Sequence, residues 1–164
     1  MKQFKCIRQH DSMQCGIACL SMISNYYGQA YTLDYFSALC YATTEGVSLL
    51  SLKEAANAIC IATECVKTTI EDLSNEQLPC ILHWNQKHFV ILYAISKDNN
   101  YFFIADPAKG KIRYNYTEFK KHWISTSSNN LEKGIAMFFH KTDKFSKSSI
   151  KKTNNNSFIF YCLI

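Results

Sequence analysis

The chain has 164 residues, 48% of them hydrophobic and 14% aromatic, enough for one buried core and too apolar for a disordered chain. Its formal charge of +5 gathers at the C-terminus, where five lysines from Lys141 onward face the single Asp143, and this argues against nucleic acid as a partner. No run approaches the roughly 18 apolar residues of a membrane span. Residues 1–11 lack the apolar stretch of a secretory signal. The folded part is therefore expected in the cytosol, with its eight cysteines reduced.

The first half reads as helices. Ser12 is placed to cap a helix over about Met13–Tyr27, in which Ile17, Leu20, Ile23 and Tyr27 recur at spacings of three and four, and Gly28 ends it. Thr32 caps a second, short helix with Leu33, Phe36, Leu39 and Cys40 on one side. Ser48 caps a third, with Leu49, Leu52, Ala56 and Ile59 inward and Lys53 and Glu54 outward. The pattern then changes to strands. Residues 62–68 are short and β-compatible. Residues 79–84 and 88–95 are apolar runs parted by the turn Asn85-Gln86-Lys87. Asp98-Asn99-Asn100 turns the chain into 101–105, and the segment from Asp106 to Gly110 turns it into 111–114. A short helix near 117–123 and a last strand over 134–139 complete the pattern. Helices followed by hairpin-linked strands predict an α+β fold with an antiparallel sheet. Residues 1–140 are expected to form the domain, and 141–164 a basic linker ending in an incomplete apolar segment.

One cysteine stands where chemistry is favoured. Cys15 falls in the first turn of the first helix, before Gly16. The partial positive charge of a helix N-terminus favours thiolate over thiol. A thiolate nucleophile needs a base or an imidazolium beside it. Of His10, His83, His88, His122 and His140, His88 opens a long apolar strand directly after a polar turn, where a side chain can face a cleft. Asp106 ends the following strand. If those strands pair through the turn at 98–100, His88 and Asp106 become neighbours. Gln9, six residues before Cys15, can supply an amide beside the Cys15 N–H for an oxyanion. Trp84 and Tyr26 are candidate walls of the cleft.

Gln9-His-Asp-Ser-Met-Gln-Cys15-Gly-Ile-Ala-Cys-Leu-Ser-Met-Ile23 followed by Tyr26-Tyr27-Gly28 resembles the signature of the bacteriocin-processing peptidase domain of peptidase-containing ABC transporters. Leu82-His83-Trp84 with His88-Phe89-Val90-Ile91 resembles its histidine motif, and Asp106-Pro107 with Gly110 its aspartate motif. The segment Gly46-Val-Ser-Leu-Leu50 with Ala55-Ala56 fits its middle helix. The match is colinear over roughly residues 3–140. The resemblance implies a papain-like cysteine peptidase fold, with Cys15 as nucleophile, His88 as base, Asp106 as the residue that orients it and Gln9 as oxyanion donor. It implies a precursor peptide with a Gly-Gly leader as substrate, and the membrane and ATPase domains of an ABC transporter as partners. It implies no cofactor and no metal, and a place at the cytoplasmic face of a bacterial inner membrane. Gln14 departs from the pattern, which usually has Asp before the cysteine. The competing readings are a peptidase-like module that binds a leader without cutting it, and a zinc or redox site at Cys15-x3-Cys19 or Cys60-x4-Cys65.

Overall fold

Side-chain caps set most of the helix starts. The computed structural model describes residues 4–40, 46–128 and 131–145. Helix α1 spans Cys15–Tyr26, α2 Leu33–Leu39 and α3 Leu49–Ala58. The Thr32 hydroxyl accepts from the Tyr35 N–H at 3.2 Å and the Ser48 hydroxyl from the Ser51 N–H at 3.1 Å, as the sequence predicts. Helix α1 differs. Its N-cap is Gln14, which makes no side-chain cap bond, so Ser12 does not cap it. Instead Asp11 shapes the approach: its Oδ1 accepts from the Met13 N–H at 2.8 Å and its carbonyl from the Gln14 N–H at 3.3 Å. The helix therefore begins at Cys15 itself, two residues later than expected.

Strand β1 is Ile61–Thr68 and the short helix α4 is Ile70–Ser74. Strands β2 (Cys80–Trp84), β3 (His88–Ile95), β4 (Tyr101–Asp106) and β5 (Gly110–Asn115) follow as hairpins. Helix α5 is Tyr116–Trp123, started by a capping box between Asn115 and Glu118. Strand β6 is Thr126–Ser128 and β7 is Leu131–Lys141. The sheet order is β1-β7-β2-β3-β4-β5, with β6 paired to β7, and every pairing is antiparallel. The last long strand thus inserts between the first two. Neither α4 nor β6 is legible as a regular element in the sequence, because each is only a few residues long.

Two cores lie on opposite faces of the sheet. One holds α1, α2 and α3 against Ile81, Phe89, Ile91, Ala105, Met137 and Phe139. The other holds Phe119 and Trp123 of α5 against Leu82, Trp84, Val90, Leu92, Phe102 and Ile104. Burying each large apolar side chain contributes about 1.5–3 kcal/mol. Helix α1 is buried from Cys15 to Ser24, on nearly all sides, so it is a central element and not a surface stripe. Chain packing continues past His140: Phe145 is buried, its carbonyl accepts from Gln29 Nε2 at 2.8 Å, and the Thr142 hydroxyl donates to the Cys60 carbonyl at 2.6 Å. Of the basic linker and apolar end expected over 141–164, residues 141–145 thus pack on the domain, and those from 146 onward lie outside the described residues.

Candidate active site

The N-terminus of α1 meets the starting end of β3. Cys15 is the first residue of the helix and is buried. His88 opens β3, and the β3–β4 pairing brings Asp106, the last residue of β4, beside it. His88 Nε2 lies 2.9 Å from Asp106 Oδ1, with the two side chains 21% and 3% exposed. Asp106 Oδ1 also accepts from the backbone N–H of Ala108 at 2.8 Å and of Lys109 at 3.3 Å, so the turn after β4 fixes the carboxylate that holds the ring. Cys15 lies close enough to His88 for each to shift the other's charge, and with Nε2 committed to Asp106 the ring nitrogen left for the sulfur is Nδ1.

The charges follow from this arrangement. Burial pushes the Cys15 thiol up, but hydrogen bonds from His88 and from the Phe89 and Gly16 N–H groups, with the His88 charge, bring it below its ordinary value. Burial likewise opposes a charged His88 ring, yet the hydrogen bonds to Asp106 and Cys15 and their negative charges raise it to about 9. Asp106, although buried, is held below the usual carboxylate range by His88 and the two turn N–H groups. The geometry is that of a thiolate–imidazolium pair oriented by a carboxylate, a constellation that can attack a carbonyl carbon and then protonate the leaving group. Burial moves other cysteines the opposite way: Cys40 rises to about 11, and Cys19 and Cys80 rise strongly. Among the described residues, Cys15 alone of the shifted thiols is lowered.

Gln9 is tied to the same end of the sheet. Its backbone N–H donates to the Pro107 carbonyl at 3.1 Å, and Cys6 Sγ lies 3.9 Å from the Asp106 carbonyl. The segment before α1 is thereby stapled to the turn that holds Asp106. The side-chain Oε1 atoms of Gln9 and Gln14 are both buried with no hydrogen-bond partner among the described residues. The departure at Gln14 therefore appears as a missing cap next to the thiolate. Two expectations fail. Tyr26 stands at the far end of α1, about 16 Å along the helix from Cys15 at about 1.5 Å per residue. Trp84 is buried in the second core behind His88. Neither walls the cleft, because an apolar ring beside a motif residue is as readily claimed by a core as by a groove.

The model of one peptidase family, described as the Peptidase C39 family, matches residues 3–129. The chain belongs to the Peptidase C39 family. C39 peptidases are cysteine peptidases, and the papain-like α+β fold expected from the sequence is the fold found. The lactococcin-G-processing and transport ATP-binding protein LagD of Lactococcus lactis subsp. lactis is 30% identical over 166 residues, which cover 98% of this chain and 22% of that protein. The colicin V secretion/processing ATP-binding protein CvaB of Escherichia coli is 33% identical over 108 residues, 66% of this chain and 15% of that protein. This C39 chain thus spans about a fifth or less of the length of these curated relatives. Among solved structures, a double glycine motif protease from an AMS/PCAT transporter, crystallised with the leader peptide, superposes with a TM-score of 0.75 at 29% identity, covering 85% of this chain and 93% of that one. The peptidase domain of Streptococcus ComA shares the fold, with a TM-score of 0.71 at 23% identity, over 85% of this chain and 100% of that one.

One neighbour of the site escaped the sequence reading. His122 hydrogen-bonds Asn85, 37 residues away, and stacks on Trp84, the cross-strand partner of His88. No spacing rule links two residues so far apart.

Proposed function

We propose that this C39 domain is a cysteine endopeptidase that cleaves precursor peptides after a Gly-Gly motif, with Cys15, His88, Asp106 and Gln9 as its machinery. The observation that carries the reading is the nearness of Cys15, first residue of a helix, to His88, whose Nε2 lies 2.9 Å from Asp106 Oδ1. The names of the similar proteins, a double glycine motif protease bound to a leader peptide and several processing and transport ATP-binding proteins, support Gly-Gly leaders as substrate and an ABC transporter as partner. The transport functions in the names of the same relatives favour a cytoplasmic position beside the membrane.

The mechanism assigns each group one task. Cys15 sulfur attacks the carbonyl carbon of the second glycine, and the carbonyl oxygen becomes an oxyanion. The Cys15 N–H, among the first N–H groups of α1 that have no helical acceptor, donates to it. Gln9 joins when a half-turn about its last side-chain bond presents the amide NH2 in place of the orphaned Oε1. The protonated His88 Nδ1 gives its proton to the leaving amine, and the acyl group stays on sulfur. His88, now neutral, takes a proton from water, whose oxygen releases the leader as a free acid. Asp106 stabilises the imidazolium throughout. Mass spectrometry of a synthetic Gly-Gly precursor incubated with the wild type and with Cys15→Ala tests the reading. Cleavage after the second glycine by the wild type alone is expected; equal cleavage by both proteins removes Cys15 from the reaction.

A further inference from the structure

The turn that delivers His88 is strained, and a side chain outside the reaction holds it. Asn85 and Gln86, between β2 and β3, have φ of 50° and 59°. Residues other than glycine enter this left-handed region at a cost and stay there when surrounding structure fixes them. Asn85 is fixed twice by the same residue. Its N–H donates to the His122 carbonyl at 2.9 Å, and its Oδ1 accepts from His122 Nδ1–H at 2.9 Å. The His122 ring also stacks on Trp84, with centroids 5.2 Å apart and planes at 20°. Trp84 is the cross-strand partner of His88. Tyr114 of β5 packs against both rings, its centroid 5.4 Å from that of His122 and 5.4 Å from that of Trp84.

His122 can bear this load because α5 is anchored independently. Phe119 stacks on Phe102 at 4.0 Å, and Trp123 is buried with its Nε1–H donating to the Ile135 carbonyl at 3.0 Å. One imidazole on a fixed helix therefore touches both the turn that precedes His88 and the ring that lies beside it across the hairpin.

We propose that His122 is a positioning residue for His88: by clamping Asn85 and Trp84 it keeps His88 Nδ1 within reach of the Cys15 sulfur. The proposal rests on the Cys15–His88 reading above. A side chain that merely glued α5 to the sheet would affect stability and leave the thiolate–imidazolium pair untouched, so the test reads the pair directly.

The rate at which iodoacetamide alkylates Cys15 is followed against pH in the full chain, by mass spectrometry of the Cys15 peptide, well below the unfolding temperature of each variant. His122→Ala removes donor and ring, His122→Phe keeps the ring, and His122→Asn keeps a donor where Nδ1 stood. In His122→Ala the acid limb of the profile moves up by about one pH unit toward an ordinary thiol. Its leader-cleavage kcat falls about tenfold to a hundredfold at unchanged KM. His122→Asn recovers more than half of the limb shift. A wild-type alkylation profile in His122→Ala overturns the proposal, whatever that variant does to stability. Should His122→Ala fail to fold, Asn85→Ala cuts the same link from the other side and must shift the limb in the same direction, an unshifted limb again overturning it. The alkylation readout needs no Gly-Gly substrate. A wild type with a reactive Cys15 that cuts no leader would sink the proposed function alone.

Discussion

Replacing Asp106 with Asn isolates the charge behind the imidazolium. The amide keeps the shape of the side chain and an Oδ1 that accepts from His88 Nε2 and from the Ala108 and Lys109 N–H groups. Against the opposing effect of burial, His88 stands at about 9 instead of its ordinary 6.5, by virtue of Asp106 and Cys15 together. That rise is about 3 kcal/mol of preference for the charged ring at about 1.4 kcal/mol per pH unit. Assigning about half of it to Asp106 puts the loss in Asp106→Asn near 1.5 kcal/mol, or about one pH unit. The assay is kcat/KM for a Gly-Gly precursor between pH 5 and about 10.5, a range set by the ordinary pKa values of His and Lys. The wild type should lose activity on the basic side as His88 gives up its proton near 9. In Asp106→Asn that limb should fall to about 8, with a plateau lowered about tenfold to a hundredfold because the ring is less firmly oriented. Stability follows the same sign. A folded pKa raised above the unfolded one contributes stability that is fully present below 6.5 and is lost as pH rises through about 9. The unfolding midpoint should therefore decline across that window in the wild type and less steeply in Asp106→Asn. A basic limb that stays at about 9 in a folded Asp106→Asn protein would refute the assignment of the imidazolium to Asp106.

Other outcomes follow from the same structure. Cys15→Ala should abolish leader cleavage with circular dichroism unchanged, and His88→Ala should be nearly as severe because the thiolate loses its partner. A five-residue peptide spanning Gly-Gly should be cut with a far lower kcat/KM than a whole leader if the leader, under the proposed function, also docks an amphipathic helix; equal values would remove that docking contribution. Gly134→Ala should cost about 1–3 kcal/mol in urea unfolding, because its new methyl would overlap the Trp123 ring that seats α5; an unchanged midpoint would show that α5 can shift freely. A chain ending after Phe145 should keep its melting temperature. One ending after His140 should lose about 3 kcal/mol or more with the buried Phe145 ring and its contacts to Gln29 and Tyr27.

The hairpins were legible because their turns are written in polar residues: Asn85-Gln86-Lys87, Asp98-Asn99-Asn100 and Asp106 to Gly110 each sit between apolar runs, and β3 begins at the expected His88. That regularity made the nearness of His88 and Asp106 deducible before any coordinates. The start of α1 was less legible, because Ser12 looks like a cap while Asp11 takes the bond that shapes the turn. What escaped was determined by contacts distant in sequence. The insertion of β7 between β1 and β2 joins strands some 70 residues apart, for instance Thr63 with Phe139. The burial of Trp84 depends on α5, which comes after three further strands. His122 is invisible for the same reason: only the folded sheet brings it to Asn85.

The central claim is that Cys15, and no other cysteine of this chain, takes the acyl group of a glycine-terminated leader. A synthetic leader ending in Gly-Gly, with a chloromethyl ketone in place of the scissile amide, can be incubated with the wild-type protein; the thiolate displaces chloride, and the resulting stable thioether is mapped by peptide mass spectrometry. The account predicts one adduct per chain, on Cys15, lost in His88→Ala and competed away by an uncut precursor. An adduct on another cysteine, or none while the same preparation still cleaves its precursor, would contradict it.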